Sequence, residues 1–129
     1  MKVSVLLCVF NGQRSISRAI KSILKQDFQE FEFLIVNDGS TDNTEQIVIK
    51  YSQKDTRIRY FYKEHSGLTD SLNYGLRKAS GDWIARIDAD DFSKSNRLNK
   101  QLKFVENNKK VVLLGSNFSL VKDNLITYN

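Results

Sequence analysis

The chain has 129 residues, 20 of them Lys or Arg against 15 Asp or Glu, for a formal net charge of +5. That length suits one domain with a core of its own, and 40% hydrophobic with 27% charged residues excludes a disordered, fibrous or coiled-coil chain. A lone cysteine, Cys8, rules out an internal disulfide, no apolar run is long enough for a signal peptide or membrane span, and the modest positive charge favours anionic partners without a base-reading element for nucleic acid.

Lys2 to Phe10 is a continuous apolar and β-branched run, the pattern of a strand buried on both faces, and Asn11-Gly12 ends it with turn chemistry. Ile16, Ala19, Ile20, Ile23 and Leu24 then recur at helical spacing behind a cap expected near Ser15. Phe31 to Val36 reads as a second buried strand, stopped by NDGSTDN, where Asp42 and Glu45 resemble a capping pair. The helix that follows is expected to bury Thr44, Ile47, Val48 and Tyr51.

Ile58 to Tyr62 alternates aromatic and charged residues, as a half-buried or edge strand does. After the loop KEHSG, Leu68, Leu72, Gly75, Leu76 and Ala79 form a helical stripe, with Gly81 in a helix-terminating position. Trp83 to Ile87 is a fourth strand. A helix from about Ser95 carries Leu98, Leu102 and Val105 inward and ends at Asn107-Asn108, and Val111 to Leu114 is expected to open a fifth strand. The tail from Lys122 has no clear period. Alternating strands and helices without a linker predict an α/β fold, a Rossmann-like, mostly parallel sheet with helices on both faces.

In such sheets ligands bind beyond the carboxyl ends of the strands. Those ends carry Cys8 to Asn11, Asn37 to Ser40, and Asp88-Ala89-Asp90-Asp91, so three polar clusters are predicted to share one edge. Carboxylates as close as Asp88, Asp90 and Asp91 repel one another unless a cation sits among them, which points to a divalent ion with oxygen ligands; turn and helix-cap duties are the alternative, strongest for Asp91. Asp38, just past a buried strand, is either an Asx-turn residue or a free acceptor for a nucleobase or ribose. Phe10 is either core or a ring on which a base stacks. Cys8 lacks a nearby base and reads as a small buried residue rather than a nucleophile. Arg86 either moderates the carboxylate repulsion or contacts a phosphate. His65, without a second ligand at metal spacing, is expected to be a surface residue.

KVSVLLCVFNG, FEFLIVNDGSTDNT, GLTDSLNYGLRKASGDWIARIDADD and RLNKQLKFVENN together resemble the nucleotide-sugar half of a family 2 glycosyltransferase of GT-A fold, over nearly the whole chain. The resemblance implies a nucleoside diphosphate sugar donor, often a uridine one, and a Mg²⁺ or Mn²⁺ held on its diphosphate by a D-x-D element. Asp88 and Asp90 match that element, Asp90 as the principal metal ligand, with Arg86 and Ala89 beside them. Asp38 matches the acid that contacts the base. Cys8, Phe10 and Asn11 match strand-end positions of the nucleotide pocket, where the family often has Thr and Tyr at the first two.

The resemblance further implies inverting transfer to a polysaccharide or lipid-linked acceptor in cell-surface polysaccharide synthesis, in the cytoplasm or at the inner face of the membrane, with peripheral membrane association. The general base of inverting members lies in a later, acceptor-binding half, so it is expected beyond residue 129 and the chain is expected to be the donor half alone. A non-catalytic nucleotide-sugar-binding module is the alternative. An unpaired edge at Val111 to Leu114 would then favour self-association. A phospho-acceptor domain would place its acidic pair after the first strand, where Phe10 and Asn11 stand, and NGQRS lacks the glycine fingerprint of dinucleotide enzymes.

Overall fold

In a computed structural model, residues 2–122 and 125–127 are described. Four parallel strands, β1 (Val3–Val9), β2 (Phe31–Asp38), β3 (Ile58–Lys63) and β4 (Trp83–Arg86), form a sheet in the order β3-β2-β1-β4. The two most apolar runs are therefore central: every residue of β2 is buried and β1 is buried but for Cys8, which is half-buried. In β3 and β4, where polar and apolar residues mix, one side of the strand is open. The register pairs Cys8 with Val36, Leu6 with Arg86 and Asp38 with Lys63.

Helices α1 (Ile16–Leu24), α2 (Thr44–Ser52) and α4 (Arg97–Asn107) cover one face. Their Ile16, Ile20, Ile23, Val48, Leu98 and Leu102 pack with Val5, Leu7, Phe33 and Ile35 in the main core. Helix α3 (Leu68–Lys78) covers the other face, packing Leu72 and Tyr74 against Leu6, Leu34 and Val36. The predicted α/β architecture, with helices on both faces, is the observed one.

Several local expectations differ from the structure for physical reasons. Ser15 stands at the N-cap of α1 without a side-chain cap, the Gly12 carbonyl instead accepting from the Ser15 and Ile16 amides. Asp42 accepts from the Thr44 amide and hydroxyl, but Glu45 takes a hydrogen bond from the Tyr60 hydroxyl instead of closing a capping box. In α3, Leu68 and Leu76 face solvent while Ser71 and Gly75 are buried. Small residues let α3 approach the sheet closely: a Cβ on Gly75 would lie 2.3 Å from a Leu6 methyl. Gly81 follows a helix that ends on extended backbone at Ala79, and its requirement is proximity, since a Cβ there would lie 2.5 Å from the Ser4 amide.

Val111 to Leu114 is not a strand. It runs irregularly beside β4 and α4, with Val112 and Leu113 nearly fully exposed, because a strand exists only through a ladder partner and none of the described residues pairs with it. Asn117 to Ser119 is equally irregular. The unpaired sheet edge on this side is therefore β4 itself. β5 (Leu120–Lys122) and β6 (Leu125–Thr127) form a small antiparallel pair where the sequence shows no period, and the rest of that tail lies outside the described residues.

Candidate functional site

Because β1, β2 and β4 are parallel neighbours, their carboxyl ends open on one rim of the sheet, and with them Cys8, Phe10, Asn11, Asp38, Arg86 and Asp88. The turns after β1 and β2 are laced together. Asn11, at φ 51°, donates its amide to Ser40 and accepts the Thr41 amide on Oδ1 at 2.8 Å. Gly12 donates to Thr44 Oγ1 and Gln13 to Asp42 Oδ2. The Asn11 side chain thus already braces the rim, a role in which Asn tolerates the left-handed backbone.

Asp38 is only 3% exposed and is not the free acceptor its position suggests. Oδ1 receives Lys63 Nζ at 2.5 Å and the Ser66 amide at 3.0 Å; Oδ2 receives the Gly67 amide at 2.9 Å and lies 2.9 Å from His65 Nδ1. An ionised carboxylate offers about four lone-pair sites; three hydrogen bonds occupy this one, while His65 Nδ1 is hydrogen-bonded to the Asp38 backbone carbonyl. Burial by itself would raise this pKa, yet hydrogen bonds led by Lys63 hold it well below the usual carboxylate range. The fully buried Ser71 hydroxyl also faces the carboxylate, although no described group meets it at hydrogen-bonding geometry.

The structural product of Asp38 is the 64–67 loop. His65, read from sequence as an ordinary surface residue, stacks on Phe10 with ring centroids 4.1 Å apart and planes 28° from parallel. Its Nδ1 is 3.0 Å from the Asp38 carbonyl as well. Gly39, at φ 72°, makes room: a Cβ there would lie 2.7 Å from the His65 amide nitrogen. Neither the stack nor Lys63 is marked in the sequence, because both depend on β3 lying beside β2. Phe10 itself is half-exposed rather than core.

Around β4 the acceptors are less occupied. Arg86 Nε and Nη2 both donate to Asp88 Oδ1, at 3.0 and 2.9 Å, at a half-exposed site. Asp88 Oδ2 and both Asp90 carboxylate oxygens take no hydrogen bond or ion pair from a described residue. Arg18 Nη2 holds the Asp90 carbonyl at 3.0 Å while its guanidinium lies over Phe92, and Arg97 donates to the Arg86 carbonyl. The mutual repulsion foreseen for the three carboxylates is visible at Asp91, whose pKa is raised by burial and then by the charges of Asp90 and Asp88, against the opposing pull of Arg18 and Arg97. Arg18 and Arg97, brought in from α1 and α4, are site neighbours that sequence spacing does not signal.

Cys8 sits among these groups. Burial pushes its thiol up to about 11, Arg86 lowering it and Asp38 and Asp88 raising it again, so it is a neutral lining group at ordinary pH. No cluster of three or more His, Cys, Asp or Glu suited to a metal occurs among the described residues. The available set, two oxygens of Asp90 and one of Asp88, fits a hard ion that takes its remaining ligands from water and substrate phosphate, as Mg²⁺ typically does. Concavities of about 600 Å³ at the opposite edge, near Lys2, Arg57 and Arg59, and about 700 Å³ beside β4 and α4 do not include Asp38, Asp88 or Asp90.

The family model described as glycosyl transferase family 2 matches residues 4–127. An uncharacterized glycosyltransferase of Rickettsia bellii is 42% identical over 107 residues, 83% of this chain and 15% of its own length. One from Haemophilus influenzae is 35% identical over 120 residues, 92% of this chain and 37% of its own. Among solved structures, Staphylococcus aureus TarS 1–349 in complex with UDP-GlcNAc superposes with a TM-score of 0.80 at 30% identity, covering 95% of this chain and 39% of that one. The Pyrobaculum calidifontis mannosyltransferase PcManGT, in complex with GDP-Man and Mn²⁺, gives 0.75 at 25% identity over 80% of this chain and 32% of its own. The chain therefore spans well under half the length of these relatives.

Proposed function

The chain belongs to glycosyl transferase family 2, and on that premise we propose that its rim binds a nucleoside diphosphate sugar, in the first instance a UDP-sugar, as the donor half of an inverting, metal-dependent glycosyltransferase. The observation that carries this reading is the unspent acceptor capacity of Asp88 and Asp90 at the carboxyl end of β4, on the same rim as the Phe10–His65 stack. Asp90, with Asp88, would hold a Mg²⁺ or Mn²⁺, which supplies Lewis-acid neutralisation of diphosphate charge.

The chain's own residues do the rest. Arg86 offsets the Asp88 charge and stands ready to meet a phosphate oxygen, Phe10 offers an apolar face to the base, and Ala89 and the neutral Cys8 thiol line the floor without competing charge. Asp38 acts from beneath, fixing the loop that carries His65. The base that deprotonates the acceptor hydroxyl is placed outside these residues, in the further length that the relatives possess.

The acceptor is taken to be a polysaccharide or lipid-linked saccharide in cell-surface polysaccharide synthesis, with the site in the cytoplasm or on the inner membrane face. We take contact with a membrane to be peripheral; no described helix is long and apolar enough to cross one. Self-association, if it uses the sheet, would use the unpaired β4 edge. A module that binds the nucleotide sugar without transferring it is the second reading; sugar transfer by the chain alone would exclude it.

The decisive experiment is calorimetric titration of UDP with and without Mn²⁺. Wild type is expected to bind with metal, Asp90→Ala to lose the metal-dependent component, and Asp38→Ala to bind more weakly in both conditions. Equal binding by all three proteins would refute the site.

A further inference from the structure

The peripheral membrane contact proposed above names no surface; we infer that the outer sides of α1 and α4 together form it, as a docking face for an anionic lipid bilayer. The core residues of α1, Ile16, Ala19, Ile20 and Ile23, leave its opposite side to Arg14, Arg18, Lys21 and Lys25. These four follow one another at steps of four, three and four residues and are all exposed, so they make one stripe. On α4, Lys100 and Lys103 lie exposed, off the buried side formed by Leu98, Leu102 and Val105. The fold joins the two sets. Ser93 donates its amide to Ser22 Oγ, Gln26 bonds the Lys94 carbonyl and the Leu98 amide, and Asn99 meets Asp27 at 3.5 Å. The start of α4 thus lies against the end of α1, and Lys25, Lys100 and Lys103 each stand within about one helical turn of that contact.

Two features separate this face from an ordinary solvated surface. Its charge has one sign: residues 14–27 hold no acid but Asp27 and residues 94–107 none but Glu106, and the sign reverses only toward the rim, at Asp90 and Asp91. The other helices mix signs, α2 with Glu45 and Lys50, α3 with Asp70, Arg77 and Lys78. Nor is the charge spent within the molecule. Among the described residues Arg14, Lys21, Lys25, Lys100 and Lys103 enter no ion pair, and because the last turn of α4 holds no basic residue the helix dipole does not account for Lys100 and Lys103. Two rings stand beside the cations: Phe92, under the Arg18 guanidinium, is 45% exposed, and Phe104, four residues from Lys100, is 48% exposed. Cations flanked by half-exposed rings suit a bilayer of anionic lipid, whose headgroups take the charge and whose interface takes the rings. A nucleic-acid duplex would give the rings no apolar phase to enter. Arg18, through its hydrogen bond to the Asp90 carbonyl, ties the face to the donor rim, so a chain seated this way carries that rim at the lipid surface.

Sedimentation with vesicles of mixed phosphatidylglycerol and phosphatidylcholine, against phosphatidylcholine alone, tests the face at about 0.1 M salt and without nucleotide, so its outcome is separate from that of the donor-site reading. Wild type is expected to sediment with the anionic vesicles only and to be released as salt rises toward about 1 M. Reversing Lys21→Glu with Lys25→Glu should weaken partitioning by at least about tenfold, since each cation near an anionic leaflet is worth about fivefold, and Phe104→Ala should weaken it by about threefold. Reversing Arg77→Glu with Lys78→Glu makes the same change of net charge on the far side of the sheet, and should leave partitioning within about twofold of wild type. Urea unfolding of each variant separates lost binding from lost folding, and Lys100→Glu with Lys103→Glu serves if the first pair does not fold. Equal weakening by the α1 and α3 reversals, or no preference for anionic over neutral vesicles, overturns the proposal. So does a wild type that ignores both vesicles and binds duplex RNA, which would assign the face to nucleic acid.

Discussion

Replacing Asp38 by Asn removes one charge and two acceptor positions from the middle of the rim while leaving the size of the side chain almost unchanged. With its carbonyl toward Lys63 and the Ser66 amide, the new amide group faces the Gly67 amide, the donor that previously met Oδ2. The Gly67 amide then lacks a partner, at a cost of about 1–2 kcal/mol, and Lys63, with a side chain only 17% exposed, loses its counter-charge at a similar cost. His65 Nδ1 keeps the Asp38 backbone carbonyl as its acceptor. A total near 3 kcal/mol follows, which for a domain of this size lowers Tm by about 10 °C. Urea unfolding measures the first quantity and hydrogen exchange locates it: amides of residues 64–67 should lose protection before the centre of β2 does. An Asp38→Asn protein within about 0.5 kcal/mol of wild type, with unchanged exchange in the loop, would refute the view that Asp38 is spent on holding it.

At the opposite edge, Glu32 accepts Ser4 and Ser80 on Oε1 and Arg59 on Oε2. Burial opposes its charge, but these hydrogen bonds win and bring it down to about 2 from 4.5. A depressed folded-state pKa stabilises above the unfolded value and is lost as pH falls from about 4.5 through about 2, so wild type should lose up to about 3 kcal/mol more than Glu32→Gln over that interval in pH-resolved unfolding. Gly81→Ala should cost about 1–3 kcal/mol in urea unfolding, because its Cβ would meet backbone at Ser4 rather than a movable side chain. With its thiol pushed up to about 11, Cys8 should react with iodoacetamide at pH 7.5 far more slowly than free cysteine, and accelerate only above about pH 10; a rate near that of the free thiol would contradict the burial assigned to it.

What the sequence makes legible is whatever a single element determines alone. The apolar runs of β1 and β2, the stripes of α1 and α4, and the rule that parallel strands gather their carboxyl ends suffice to bring Cys8, Asp38 and Asp88 to one rim. Decisions between elements are not written in any one of them. The stripe Leu68, Leu72, Gly75, Leu76 and Ala79 turns partly outward because Gly75 admits Leu6, and Val111 to Leu114 has strand composition but no partner strand among the described residues. The consequence for the site is sharper. Asp38, Asp88 and Asp90 look alike in sequence, each an aspartate at or just past the end of an apolar run, and an oxygen can serve a ligand only if the fold has not already used it. Three donors use the carboxylate of Asp38, one guanidinium uses part of Asp88, and no described side chain uses the carboxylate of Asp90. The capacity left over, which only tertiary contacts decide, separates the three as candidate ligands.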